Sequence, residues 1–254
     1  MFTEKSAAMS FQPTNELMSK QPLHQVMEGS GSSGQIAAYF DLDGTLLDAS
    51  SEKTLTGTLT KRRPWRIPIA ATAWTLRALG SLLIGKSWYD SARNRGHFTA
   101  VQWDYLAELS EELVHSTLSP RIPKQAHERL DWHREQGHRL VLVTATVAPM
   151  AEAMGAALKM DTIYGCGPEK SLRTGRMSGS EKGWSVPRRK GKSPIVKGDA
   201  ERNGHDLSKC YGYGNTHADS WFMRICGNPI AVNPEPALKK HAEEHNWECV
   251  EWKI

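Results

Sequence analysis

Apolar positions along this chain fall into two kinds of pattern. Short continuous apolar runs, such as 36–40 and 139–146, end abruptly in Asp, Thr or Gly and predict buried strands. Between them lie amphipathic stretches with helical spacing. One covers 126–136 and stops at Gly137. Another opens at Ser193-Pro194, read as N-cap and first helical residue, and closes at Asn203-Gly204. Strands alternating with helices in this way predict an α/β fold with a parallel central sheet. The segment from 50 to 119 departs from that rhythm, because it predicts only helices: 69–83, 86–93, and 100–118 with Glu108, Glu111 and Glu112 on the polar side.

Two further stretches stand out. Residues 1–34 are polar and end in Gly29-Ser30-Gly31-Ser32-Ser33-Gly34, a composition that buries too little surface to offset its ordering entropy. A flexible tail is expected there. The stretch 67–85 is the longest apolar one and approaches membrane-spanning length, but Pro68, Arg77 and Gly80 interrupt it. A central Arg costs a few kcal/mol in a bilayer, so a buried or interfacial helix is favoured over a span.

Composition narrows the function classes. The chain has 254 residues, 39% hydrophobic and 24% charged, which excludes disordered, collagen-like and mucin-like proteins. A net charge of +4 is too mild to indicate a nucleic-acid partner and suits a small acidic substrate. Cys166, Cys210, Cys226 and Cys249 form no C-x-x-C pair and no zinc or disulfide framework. With no apolar run of signal-peptide length in the first 30 residues, a cytoplasmic location is expected.

Candidate chemistry begins at Phe40-Asp41-Leu42-Asp43-Gly44-Thr45-Leu46-Leu47. Asp41 and Asp43 fall at the C-terminal end of a buried strand, where open α/β sheets bind ligands. Two carboxylates so close repel unless a cation or unequal protonation reconciles them. The string resembles the first motif of the haloacid dehalogenase (HAD) superfamily, most of whose members transfer phosphoryl groups through an aspartyl-phosphate.

The rest of the chain supplies the motifs that this resemblance requires. Thr144, at the end of the second strand, matches the hydroxyl residue that binds a phosphoryl oxygen. Lys192 and Lys197 both compete for the lysine motif. Lys192 is preferred, because its distance from the next motif suits the family and it stands just ahead of a helix N-terminus. Tyr211-Gly212-Tyr213-Gly214-Asn215-Thr216-His217-Ala218-Asp219 is similar to the family's G-D-S-x-x-D loop, with Asn215 where the family has a metal-binding acid. Asparagine keeps an oxygen ligand for a hard cation but removes a full charge, so weakened Mg²⁺ binding is expected. The segments 172–179, 227–236 and 247–252 resemble a small antiparallel excursion and the last two strands of the phosphoserine-phosphatase-like branch, subfamily IB.

Taken over 36–252, the resemblance implies a Rossmann-like HAD core at 35–49 and 120–254, with a helical cap of the C1 type inserted at 50–119. It implies a Mg²⁺-dependent phosphatase acting on a phosphate monoester of a small metabolite. Asp41 would be the nucleophile and Asp43 the general acid and base. Leu42, Gly44, Thr45, Thr144, Ala145 and Lys192 would bind phosphate, and Asp41, Asp43, Asn215 and Asp219 the metal. Arg93, Arg95 and His97 are candidates for a second anionic group. The resemblance implies a substrate-binding glutamate nine positions after the nucleophile in phosphoserine phosphatases; here that position is Ser50, with Glu52 two beyond, which weakens phosphoserine as the substrate. Two alternatives stay open: a phospholipid head-group phosphatase, in view of 67–85, and a catalytically weak phosphate binder, in view of Asn215. A membrane surface is a possible but not favoured partner, and the oligomeric state is undetermined by the sequence.

Overall fold

The computed structural model describes residues 25–28, 35–92, 94–167, 169–178 and 188–253. Within them, strands β1 (Gln25–Glu28), β2 (Ala37–Phe40), β3 (Arg139–Val147), β4 (Thr162–Cys166), β5 (Tyr211–Gly214), β6 (Asn228–Val232) and β7 (Glu248–Val250) form one sheet in the order β1-β4-β3-β2-β5-β6-β7. Strands β2 to β7 are mutually parallel. All four residues of β2 are fully buried. Continuous rather than alternating apolarity marks a strand covered on both faces.

β1 lies inside the segment expected to be a flexible tail. It pairs antiparallel with β4, Glu28 opposite Thr162 and Gln25 opposite Tyr164, and so caps an edge whose backbone groups would otherwise lack partners. Residues 1–24 and 29–34 of that tail lie outside the described residues, as does Arg93.

Helices cover the sheet. Between β2 and β3 run α1 (Ser51–Arg62), α2 (Ile67–Leu83), α3 (Trp88–Ala92), α4 (Trp103–Leu113) and α5 (Lys124–Glu135), and after β3 come α6 (Ala148–Ala157), α7 (Lys192–Asn203), α8 (Ser220–Met223) and α9 (Pro236–Glu244). The single long helix expected over 100–118 ends as α4 at Leu113 and continues as a π-turn over Val114–Leu118. Leu55 and Leu59 of α1 and Leu106, Leu109 and Leu113 of α4 join the same hydrophobic cluster as Phe40, Leu140 and Leu142 of the sheet. Through these residues, α1 and α4 of the 50–119 segment pack into the same core as the sheet. α2 is different, since Ala78 is its one buried residue. Among the described residues, no helix is long and apolar enough to cross a membrane.

Helix α7 starts two residues earlier than Ser193-Pro194 suggested, so Lys192 is its first residue rather than the residue ahead of it. Ser193 does not cap the helix, and its hydroxyl donates instead to the Trp221 carbonyl. Gly204 closes α7 in the left-handed conformation, φ 69°. The helix is pinned to the sheet through buried Asp199, whose carboxylate accepts the hydroxyls of Tyr39 (3.0 Å) and Tyr164 (2.7 Å). These bonds tie the helix bearing Lys192 to β2 and β4.

Candidate active site

Strand order puts the chemistry in one place. β2 is flanked by β3 and β5, and the chain runs outward from it in both directions, which creates a crevice at the strand C-termini. Asp41 follows β2, Thr144 lies in the last part of β3, and Asn215 follows β5. A cavity of about 840 Å³ opens there, and Asp41, Asp43, Thr144, Ala145, Lys192, Asn215 and Asp219 all line it. Of the residues that the sequence nominated, Leu42, Gly44 and Thr45 do not. Leu42 is buried in the core, and the Gly44 amide donates within its own loop to the Leu47 carbonyl at 2.7 Å. Lys197 is likewise absent from the cavity wall.

The centre of the site is a buried charge triad. Lys192 Nζ lies 2.6 Å from Asp41 Oδ1 and 2.6 Å from Asp219 Oδ1. Burial opposes the Lys192 charge, yet Asp219 and Asp41 together hold its pKa above the ordinary lysine value. Burial pushes the Asp41 carboxyl up, to about 7, against the pull of Lys192 and with the help of Asp219 and Asp43. Asp219 is anchored by its other oxygen, which accepts the Thr216 amide (3.0 Å) and hydroxyl (2.7 Å). One cation between two carboxylates leaves the triad itself net negative, a setting that favours a further cation beside it.

Asp43 is held from the opposite side. Its Oδ1 accepts the Ser51 amide at 3.1 Å and its Oδ2 the Ser50 hydroxyl at 3.4 Å. Ser51 opens α1, so the carboxylate meets the positive end of that helix. Burial raises the Asp43 pKa, and these two serine contacts restrain the rise. A run of hydroxyls continues from there: Ser51 Oγ lies 2.9 Å from Thr146 Oγ1, and Thr144 Oγ1 donates to Thr146 Oγ1 at 3.1 Å.

Asn215 supplies the test of whether this site suits a hard divalent cation. Its Oδ1 is buried and lacks a hydrogen-bond partner, a condition that ordinarily costs about 1–3 kcal/mol unless a ligand satisfies it. The oxygen donors available are the Asp41 carboxylate, the Asp43 backbone carbonyl and this amide oxygen, a set that fits Mg²⁺ in kind. Asn215 also crowds Gly44: a Cβ there would lie 2.1 Å from Asn215 Nδ2, and Gly44 has φ +83°.

Several cavity residues had no motif to announce them. Arg95, a candidate for gripping an anion, is buried and donates through Nη2 to the Ala145 carbonyl at 2.6 Å while pairing with Glu52 Oε2 at 2.6 Å. It thereby joins the 50–119 segment to the C-terminal part of β3. His97 also lines the cavity, its pKa pushed down to about 4 by burial, with Arg95 and Arg66 acting in the same direction. From the basic run 188–192, Arg188 and Arg189 reach the wall, whereas Lys190 lies over the Trp221 ring at 4.5 Å. The separate His241, Glu244 and His245 cluster, whose ligand atoms lie within 4.8 Å of one another, contributes nothing to the cavity.

Known proteins resemble this chain in sequence and fold. Residues 38–224 match the family model described as haloacid dehalogenase-like hydrolase. Phosphoserine phosphatase SerB1 of Mycobacterium tuberculosis is 26% identical over 224 residues, spanning 86% of this chain and 71% of that one. A protein of unknown function from Bordetella pertussis Tohama I superposes with a TM-score of 0.71 at 25% identity, over 84% of this chain and 97% of that one. A structure described as a phospho-aspartyl intermediate analogue of phosphoserine phosphatase superposes with a TM-score of 0.55 at 17% identity, over 85% of this chain and 92% of that one.

Proposed function

This chain belongs to the haloacid dehalogenase-like hydrolases, and from that premise we propose that it is a Mg²⁺-dependent phosphatase that hydrolyses small phosphate monoesters through an aspartyl-phosphate on Asp41. The observation that carries the reading is the Asp41–Lys192–Asp219 triad, with both contacts at 2.6 Å, at the wall of a cavity that Asp43 and Thr144 share.

Asp41 Oδ attacks phosphorus opposite the ester oxygen. The new P–O bond to Asp41 forms as the ester P–O bond breaks, and Asp43 gives its proton to the departing alcohol. The raised pKa of buried Asp43 suits it to hold that proton. In the second half, Asp43 takes a proton from water as the water oxygen bonds to phosphorus, which releases phosphate and restores the Asp41 carboxylate. Lys192 and the Thr144 hydroxyl stabilise charge on the phosphoryl oxygens. Asp41, Asp43 and Asn215 would hold Mg²⁺, with Asp219 behind them, and the ion would offset phosphoryl charge.

The helices from 50 to 119 act as the cap: Glu52, Lys53, Thr56, Arg95 and His97 from this segment form part of the cavity wall, where they exclude water and choose among leaving groups. The orphaned Asn215 Oδ1 favours a working metal site over a vestigial one. The test is release of p-nitrophenol from p-nitrophenyl phosphate with and without Mg²⁺. Activity is expected to require Mg²⁺ and to disappear in Asp41→Asn, and hydrolysis that ignores either change would exclude the mechanism.

A further inference from the structure

Helix α2 presents two unlike faces. On the inner one, Trp74 Nε1 donates to the Ala92 carbonyl at 3.1 Å, Arg77 Nη2 donates to the Ser178 carbonyl at 2.7 Å, and Ala78 is buried. The outer one carries Ile69, Leu76, Leu79 and Leu83, continued by Trp65 just before the helix and Ile84 just after it. Positions 65, 69, 76, 79 and 83 repeat at helical spacing and lie along one stripe. Trp65 is 66% exposed, Leu76 64%, Leu79 52% and Leu83 88%. Contiguous apolar exposure of this kind marks a docking surface rather than ordinary surface scatter.

Charge identifies the partner. Between Glu52 and Asp90 the chain holds Lys53, Lys61, Arg62, Arg63, Arg66, Arg77 and Lys86 and not one Asp or Glu. Lys61 is exposed before α2 and Lys86 after it, whereas Arg62 is paired with Glu112. Stacking two copies of α2 would bring cations together with no acid in the segment to balance them. An anionic lipid surface reverses that sign. The objection that Arg77 raised in the sequence also disappears, because its guanidinium turns inward and leaves the outer stripe uncharged. Trp65 precedes the helix and Trp88 opens α3 after it, 66% and 63% exposed; amphipathic rings of this kind anchor at the membrane–water interface. Seventeen residues give a helix of about 25 Å, suited to lying in the interface plane.

We propose that α2 is an interfacial helix that docks this protein on anionic lipid bilayers. Its inner face adjoins α1 across a cleft of about 420 Å³ lined by Leu59, Ile67, Ala70 and Trp74, and Thr56, Thr60 and His97 belong to both this cleft and the phosphoryl cavity.

The experiment is co-sedimentation of the full chain with vesicles of phosphatidylglycerol and phosphatidylcholine mixed, against phosphatidylcholine alone, with light scattering of the lipid-free protein alongside. Binding to the anionic vesicles is expected, weakened by salt. Leu76→Glu and Leu83→Glu should each lower the partition coefficient by about tenfold or more while hydrolysis of a soluble phosphate ester stays at the wild-type rate. Absence of binding to anionic vesicles, or binding that both variants retain, would overturn the proposal. A lipid-free dimer that either variant splits would overturn it too, by assigning the stripe to a second copy. Because vesicle binding is read without turnover, its failure is distinct from failure of the phosphatase reading.

Discussion

Gly44 and Asn215 occupy space that only one side chain can fill: a Cβ on residue 44 would fall 2.1 Å from Asn215 Nδ2, and residue 44 sits at φ +83°. The first motif and the fourth are thus fitted to each other by the absence of a side chain. Gly44→Ala is expected to destabilise the fold by about 2 kcal/mol or more from backbone strain and crowding. It should also displace Asn215 and raise the Mg²⁺ concentration needed for half-maximal activity. Denaturant unfolding and a Mg²⁺ titration of p-nitrophenyl phosphate hydrolysis measure the two effects.

Asn215→Asp restores a charge beside the proposed metal ligands. It should lower the Mg²⁺ requirement by about tenfold, the scale expected from one extra unit charge near a partly screened cation. The same Mg²⁺ titration reads it, and an unchanged midpoint would show that Asn215 is not a ligand.

Lys192→Met leaves Asp41 and Asp219 facing each other across the space of the lost cation. Removing one member of a buried charge set costs about 3–5 kcal/mol, and activity should fall at least ~100-fold with the loss of phosphoryl-oxygen stabilisation. Adding Asp219→Asn should recover part of the stability but none of the activity. A denaturant-based double-mutant cycle separates the two effects.

The fold was legible where local chemistry decides structure. The apolar runs leading to Asp41 and through Thr144, and a glycine closing α7, follow from short-range rules, whereas the segment before Asn215 was legible only through its resemblance to the family's loop. What stayed hidden depends on residues distant in the chain. β1 exists because β4 offers a free edge, and nothing in Gln25-Val26-Met27-Glu28 itself signals a strand. The start of α7 at Lys192 goes with the contacts its Nζ makes to Asp41 and Asp219, which outweigh the local Ser-Pro signal. The pairing of Arg95 with Glu52 and the Ala145 carbonyl needs three segments brought together, so no spacing rule could find it.

A further prediction concerns acid stability. His133 is buried behind β2, with its Nε2 2.8 Å from the Tyr213 hydroxyl and its Nδ1 2.8 Å from His138 Nδ1. Burial pushes its pKa down to about 3, and the neighbouring His138 and Arg129 add to the shift. The folded protein therefore keeps His133 neutral while the unfolded chain protonates near the ordinary histidine value of about 6.5. Stability contributed by neutral His133 is full above that pH and declines as pH falls towards about 3. The slope is at most about 1.4 kcal/mol per pH unit from this one group. Unfolding midpoints at successive pH values should show the decline, and His133→Gln should flatten it.

The central claim is that Asp41 carries the phosphoryl group between the two half-reactions. Rapid acid quenching of the enzyme during turnover with Mg²⁺ and p-nitrophenyl phosphate, followed by peptide mass spectrometry, tests it most directly. The account predicts a peptide containing Asp41 heavier by one phosphoryl group, labile to base and absent from Asp41→Asn. Steady turnover with that peptide unmodified at every quench time, or an adduct on another residue, would contradict it.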